Sequence, residues 1–224
     1  MDGKDGVVRL ERSQTRKAAE VLARAFHDDP FYEAILPREE SRPRRLTWFM
    51  ERMLCYGLPY GHVYTTPAVA GVACWFPPGH MSPGAGDILR SGLYALPVRL
   101  GFGAYRRLSD FTKYAATMRA RCVPEPHWYL LLLGVDDSCR GQGLGGRLIE
   151  PVLARASEER VACYLETEKE GNLNFYARHG FHLGEAGREP RHGMRTWGLL
   201  RPTTYPPRKR GQVWTLDNQK RLTD

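Results

Sequence analysis

Apolar residues at Ala18, Val21, Leu22, Ala25 and Phe26 recur at helical spacing, so an amphipathic helix is predicted behind a Ser13 or Thr15 cap. It should end at His27-Asp28-Asp29-Pro30, because the residue before a proline avoids the helical region. Gly6 to Leu10 reads as a short strand ahead of it. Arg42 to Leu58 repeats the helical pattern with Leu46, Phe49, Met50, Met53 and Leu54 on one side. His62 to Thr66 and Val69 to Phe76 read as a hairpin turned at Pro67-Ala68 and closed by Pro77-Pro78-Gly79. No strand pattern follows until His127. Gly84 to Leu100 and Ala104 to Arg121 are predicted helices separated by Gly101-Phe102-Gly103, with Arg106, Arg107, Lys113, Arg119 and Arg121 as the solvated face of the second.

The most informative stretch runs from Tyr129 to Phe181. An unbroken apolar run from Tyr129 to Leu133 continues through Gly134 to Val135, which predicts a strand buried on both faces. A glycine-dense turn then opens a helix from Gly145 to Glu158, in which Leu148, Ile149, Val152 and Leu153 should face the sheet and Pro151 should bend the axis. Val161 to Leu165 reads as the next strand, Asn172 to His179 as a short helix ended by Gly180, and Phe181 to Gly184 and Met194 to Leu200 as closing strands.

Arg140, Gly141, Gln142, Gly143, Leu144 and Gly145 place lightly covered N–H groups at a helix N-terminus, where unpaired donors and the positive dipole end favour a phosphate. Three phosphate-binding patterns compete. Gly141, Gly143 and Gly146 satisfy G-x-G-x-x-G with Glu166 further on, as a dinucleotide-binding unit requires. In that unit, however, the strand leads almost directly into the first glycine, whereas Asp136 to Arg140 intervene here. A mononucleotide P-loop lacks its Gly-Lys-Ser/Thr. The third pattern, Arg140-x-x-Gly143-x-Gly145, is the acyl-CoA signature R/Q-x-x-G-x-G/A.

With Leu130 to Val135 before that signature and Asn172 to Phe181 after it, the chain resembles the GNAT superfamily of acetyl-CoA-dependent N-acetyltransferases. Within the superfamily it is most similar to the puromycin N-acetyltransferase group, through its Gly134-Val135 and glycine segment, Pro151, Leu165-Glu166-Thr167 and the Asn172-to-Phe181 close. The resemblance implies an α/β (α+β) GNAT fold: a central mixed, mostly antiparallel sheet flanked by helices. Residues 1–200 form a single domain on this reading, with a helical insertion at 77–126 placed to cover the acceptor and a basic extension at 201–224.

Composition changes this picture little. The chain has 224 residues and a net charge of +8, of which six Lys/Arg against two Asp after Leu200 supply four. Those six include Arg208-Lys209-Arg210 beside Pro202, Pro206 and Pro207. With no helix-turn-helix, zinc or RNA-binding signature, the charge argues for an anionic cofactor and a basic tail more than for nucleic acid. Cys55, Cys74, Cys122, Cys139 and Cys163 lack metal or disulfide spacing. No apolar h-region or membrane span is evident, so a soluble, cytoplasmic protein without a metal is expected. Nothing in the sequence sets the oligomeric state.

The resemblance implies roles for particular residues. The N–H groups of Arg140 to Gly145 would hold the pyrophosphate of acetyl-CoA, with the Arg140 guanidinium as a further partner. The edge of Leu133, Gly134 and Val135 would hold the pantetheine arm, with the Val135 N–H on the thioester oxygen. Tyr176 would protonate the leaving thiolate, and Glu166 would take the amine's proton or orient its ammonium group. Asn172 is retained as a cofactor contact, while Lys169 stands where relatives carry another asparagine. Asp28 and Asp29 are either a solvated helix end or acceptor contacts. The implied function is acetyl transfer to a primary amine of a small molecule in a ternary complex. A protein or peptide N-acetyltransferase and a non-catalytic acyl-CoA-binding protein remain open, with a nicotinamide oxidoreductase more distant.

Overall fold

One seven-stranded sheet carries the chain in the computed structural model, which describes residues 6–123 and 126–203. The strands are β1 (Val8–Arg9), β2 (Val63–Thr65), β3 (Gly71–Phe76), β4 (Trp128–Val135), β5 (Cys163–Thr167), β6 (His182–Arg188) and β7 (Arg195–Arg201). Their order is β1-β2-β3-β4-β5-β7-β6, and β4 with β5 is the parallel pair in an otherwise antiparallel sheet. The expected mixed sheet is present. Most of the basic extension, including Arg208-Lys209-Arg210, lies outside the described residues.

Helices cover both faces. Before β2 come α1 (Thr15–Ala25), α2 (Pro30–Ile35) and α3 (Arg42–Gly57). Between β3 and β4 lie α4 (Ala85–Ser91), α5 (Leu96–Leu100) and α6 (Phe102–Cys122). After β4 come α7 (Leu144–Glu159), which runs on through Pro151, and α8 (Leu173–Arg178). One core joins Leu22, Leu46, Met50 and Leu54 to Val72, Cys74 and Phe76. The second joins Leu148, Ile149 and Val152 of α7 to Ala73, Trp75 and Trp128. Alternate residues of β3 therefore serve opposite cores, as a pleated strand requires.

The structure corrects several expectations. The strand fully buried along its length is β3, whereas β4 alternates buried with half-buried residues. The predicted helix from Gly84 to Leu100 is broken at Gly92, whose φ of +79 places it in the left-handed region. α2 was not predicted at all. Asp29 caps it, its side chain accepting from the Phe31 N–H at 3.0 Å with Pro30 at the first helical position, so Asp29 is buried and not a solvated partner of exposed Asp28. The strand after α7 begins and ends two residues later than expected, at Cys163–Thr167 in place of Val161 to Leu165, and its later end places Glu166 inside it. Arg119 does not belong to a solvated face: its side chain is mostly buried and pairs with Glu166.

Candidate active site

The site grows from an irregularity in β4. Cys74 pairs with Leu132 but Trp75 with Leu130, so β4 advances two residues for one of β3 and Leu131 bulges. Leu130 accordingly joins the α7 core while Leu132, two residues on, joins the α1 core. A bulged strand bends. Parallel pairing with β5 covers Trp128 and Tyr129 and goes no further along β4. The Asp136 N–H donates to the Ala70 carbonyl at 2.9 Å, and bonded positions alternate along an antiparallel pair. That alternation turns the N–H groups of Leu133 and Val135 away from β3, toward the edge that β5 leaves. Gly134 stays on the opposite side under α1, where a Cβ would lie 2.8 Å from Leu22 Cδ2 and 3.1 Å from Ala25 Cβ.

The turn after Val135 is tied down from within. Asp136 accepts from the Ser138 N–H and pairs with Arg24 at 2.7 Å, a contact that holds its carboxyl below the usual range. Gln142 Nε2 donates to the Ser138 carbonyl at 3.2 Å. Arg140 pairs with Asp137 at 2.7 Å and donates to the Ala25 carbonyl at 3.2 Å, so its guanidinium braces the turn against the end of α1. Gly141 and Gly143 take φ values of +76 and +74, and the space where each Cβ would lie is open. Gly143 is the N-cap of α7 and brings no side-chain cap, so the first N–H groups of the helix keep their donors and the dipole faces outward. Gly145 presses on Phe175 of α8, where an added Cβ would lie 3.3 Å from the ring, and this contact seats α8 beside the turn. These residues fit a pyrophosphate and, along the β4 edge, an amide-bearing arm.

Tyr176 projects from α8 into the adjoining interior. It is 7% exposed and packs edge-on against Phe175 and Phe181 at 5.0 and 5.8 Å between ring centroids. Burial pushes its phenol up, with Asp29 and Glu168 adding to the effect, so it carries its proton at neutral pH. Glu166, whose side chain is 5% exposed, lies 3.6 Å from Arg119. Burial raises its carboxyl to about 7 against the opposing influence of Arg119. The Tyr129 and Tyr164 hydroxyls stand near enough to favour the carboxylate, yet neither Glu166 oxygen receives a hydrogen bond of good geometry.

The charges that act on Tyr176 come from Asp29 and Glu168, two residues to which sequence reasoning gave no catalytic part. Burial raises Asp29 to about 6, and burial together with Asp29 and Glu166 raises Glu168 far above the carboxylate range. The Asp-Pro dipeptide, a cap followed by proline at the first helical position, was the available signal for Asp29. Nothing in Glu168-Lys169-Glu170 signals that Glu168 is buried. Asn172 donates its amide to Thr167 Oγ1 at 3.1 Å and so ties the loop between β5 and α8.

The sequence profile of the acetyltransferase (GNAT) family matches residues 22–181. An uncharacterised N-acetyltransferase of Schizosaccharomyces pombe is 31% identical over 179 residues, covering 77% of this chain and 72% of that protein. Among solved structures, a protein described as histone acetyltransferase HPA2 and related acetyltransferase, from Corynebacterium glutamicum, aligns at 22% identity with a TM-score of 0.63, over 92% of this chain and 99% of that one. A polyamine N-acetyltransferase of Drosophila melanogaster that forms N-acetylagmatine aligns at 15% identity and TM-score 0.56, over 88% and 98%. At these identities the structural likenesses are likenesses of fold.

Proposed function

The chain belongs to the acetyltransferase (GNAT) family and is an N-acetyltransferase; from that premise we propose that it moves the acetyl group of acetyl-CoA directly to the primary amine of a small molecule. The observation that carries the proposal is the uncapped start of α7, with Gly141 and Gly143 in left-handed conformations, at the end of a β4 edge that β5 does not cover. The resemblance to the puromycin N-acetyltransferase group and the amine acceptor in the description of the Drosophila neighbour support a small-molecule acceptor.

On this reading the N–H groups from Gly141 to Gly145 hold the pyrophosphate, and those of Leu133 and Val135 hold the arm and the thioester oxygen. One preorganised donor of this kind is worth about 3 kcal/mol where charge develops on such an oxygen. As the amine nitrogen bonds to the acetyl carbon and the carbon–sulfur bond breaks, two protons leave an initial ammonium group. A carboxylate, Glu166 or Asp29, takes one toward solvent, both having been raised toward neutrality by burial. The other is accounted for at sulfur, where Tyr176 donates and is then replenished. The products are an N-acetylated amine, a free thiol and one released proton.

The test is free-thiol release from acetyl-CoA across a panel of amines and peptides that includes puromycin. Amine-dependent release with an N-acetylated small molecule as product is expected. Release with peptides alone would overturn the acceptor class, and acetyl-CoA binding with no release for any acceptor would leave a non-catalytic acyl-CoA-binding protein.

A further inference from the structure

Among the described residues seven large apolar side chains stand exposed, and six of them fall between Ile88 and Tyr105. Leu89, Tyr94, Val98 and Phe102 are each at least 65% exposed. The helices that carry them adjoin in turn, α4 and α5 through the one turn Leu93–Ala95 and α5 against α6, so these side chains share one region of the surface. They do not serve the fold. Leu93, Leu100 and Ala104 turn inward to the core of α1 and α3, and Leu96 packs against it, so the stretch is already anchored along its other side. Nor do they belong to the site described above: Phe102 opens α6, and Arg119 near the far end of that helix lies about 25 Å along the axis at 1.5 Å per residue. Exposed apolar surface gathered in one place marks a face that meets something.

The face is also basic. From Gly84 to Arg107 the single acid is Asp87, which pairs with Arg90, while Arg99, Arg106 and Arg107 add further positive charge. Val98 and Arg99 help to line a hollow of about 750 Å³ together with Arg44, Arg45 and Trp48 of α3. There the Arg99 guanidinium lies 5.6 Å over the Trp48 ring, and Arg45 donates to the Leu100 carbonyl at 3.4 Å. The two carboxylates at the hollow are engaged elsewhere, Glu20 by Arg16 and Glu51 by Arg52, and among the described residues none pairs with Arg44, Arg45 or Arg99. Charge therefore decides what can cover this face. A second copy meeting it through the same surface would set arginine against arginine, and the stretch after Leu200 brings six Lys/Arg against two Asp. The occupant must be anionic, yet Leu89 and Val98 gain only by entering an apolar medium. We propose that this face docks the chain on a membrane surface rich in anionic lipid, with Leu89, Tyr94, Val98 and Phe102 reaching the acyl boundary and a lipid phosphate seated among Arg44, Arg45 and Arg99. Tyrosine and arginine suit that boundary, each joining an apolar body to a polar tip. The contact is peripheral: among the described residues no helix is long and apolar enough to cross a membrane.

The experiment sediments the full chain with vesicles of equal parts phosphatidylcholine and phosphatidylserine, and with vesicles of phosphatidylcholine alone, at low and at high salt. Binding about tenfold tighter to the anionic vesicles is expected, weakening as salt screens the arginines. Val98→Ser combined with Phe102→Ser keeps every charge and removes only exposed apolar surface. This double variant should lose about tenfold in vesicle affinity while its thermal midpoint and its free-thiol release in solution stay unchanged. No binding to the anionic vesicles overturns the inference. Binding that the double variant retains in full overturns it as well, since a basic chain adheres to such vesicles by charge alone. A dimer in sedimentation equilibrium that the double variant dissolves would assign the face to a second copy, and duplex DNA bound by the native chain and lost by the variant would assign it to nucleic acid; either result overturns the membrane assignment. Should the double variant fail to fold, Leu89→Ser combined with Tyr94→Ser takes its place under the same criteria.

Discussion

Glu166→Gln should make the protein less sensitive to rising pH, and the size of the change follows from where the carboxyl sits. Burial raises it from an ordinary 4.5 to about 7. Below 4.5 both the folded and unfolded chains hold the proton and the group contributes no pH dependence. Between 4.5 and about 7 the unfolded chain gives up its proton first, so ionisation favours unfolding and stability falls as pH rises. A displacement of about 2.5 units at about 1.4 kcal/mol each gives about 3 kcal/mol lost by pH 8, or a fall in Tm of about 6–12 °C for a chain of this size. Glutamine keeps the shape and has no such titration. His62 and His182, whose burial lowers their values, contribute the opposite slope in both proteins and cancel in the difference. Losing the Glu166 charge also relieves Glu168, which flattens the variant's curve further. The assay is thermal unfolding of the free protein from pH 5 to pH 8. Parallel curves for wild type and variant would show that Glu166 titrates near its ordinary value and that its surroundings do not disfavour its charge.

Gly143→Glu is expected to weaken acetyl-CoA binding more than tenfold by calorimetry, with Gly143→Ala as the control that carries the same left-handed strain, about 1–2 kcal/mol, without the charge. Equal losses in the two variants would mean that no phosphate approaches this turn. Tyr176→Phe keeps the buried ring and should leave the acetyl-CoA Kd nearly unchanged while lowering the single-turnover rate by about ten- to ten-thousand-fold. An unchanged rate makes Tyr176 a packing residue. Gly134→Ala places a methyl group 2.8 Å from Leu22 Cδ2, and should destabilise the fold by about 1–3 kcal/mol in denaturant titration; an unchanged midpoint would mean that α1 yields freely.

Much of this arrangement is legible in the chain because local rules and tertiary structure agree there. The stripes of α1 and α3, the β2–β3 hairpin and the glycine turn all declare themselves through period or through residues that only one backbone shape accommodates. The bulge at Leu131 leaves no trace, since an extra residue in an all-apolar run looks the same in either register. Gly92 was visible but reads equally as a tolerated helical glycine. Arg119 and Glu168 stand in charged surroundings that in sequence resemble ordinary surface, and only packing from distant elements buries them. The glycine turn was legible because backbone atoms form it, and the buried pairing of Glu166 was not, because side chains from β5 and the distant α6 assemble it.

The end of α1 touches both halves of the site. Leu22 and Ala25 rest on Gly134, Arg24 holds Asp136, the Ala25 carbonyl receives Arg140, and a few residues later the same segment delivers Asp29. A ligand that stiffens the phosphate turn therefore also narrows the positions open to Asp29. Thermodynamic linkage makes such an effect reciprocal: whatever factor acetyl-CoA adds to amine affinity, the amine must return to acetyl-CoA. On the proposed site the two substrates are coupled through one helix terminus, and shortening the Arg24 or Arg140 side chain is expected to loosen that coupling.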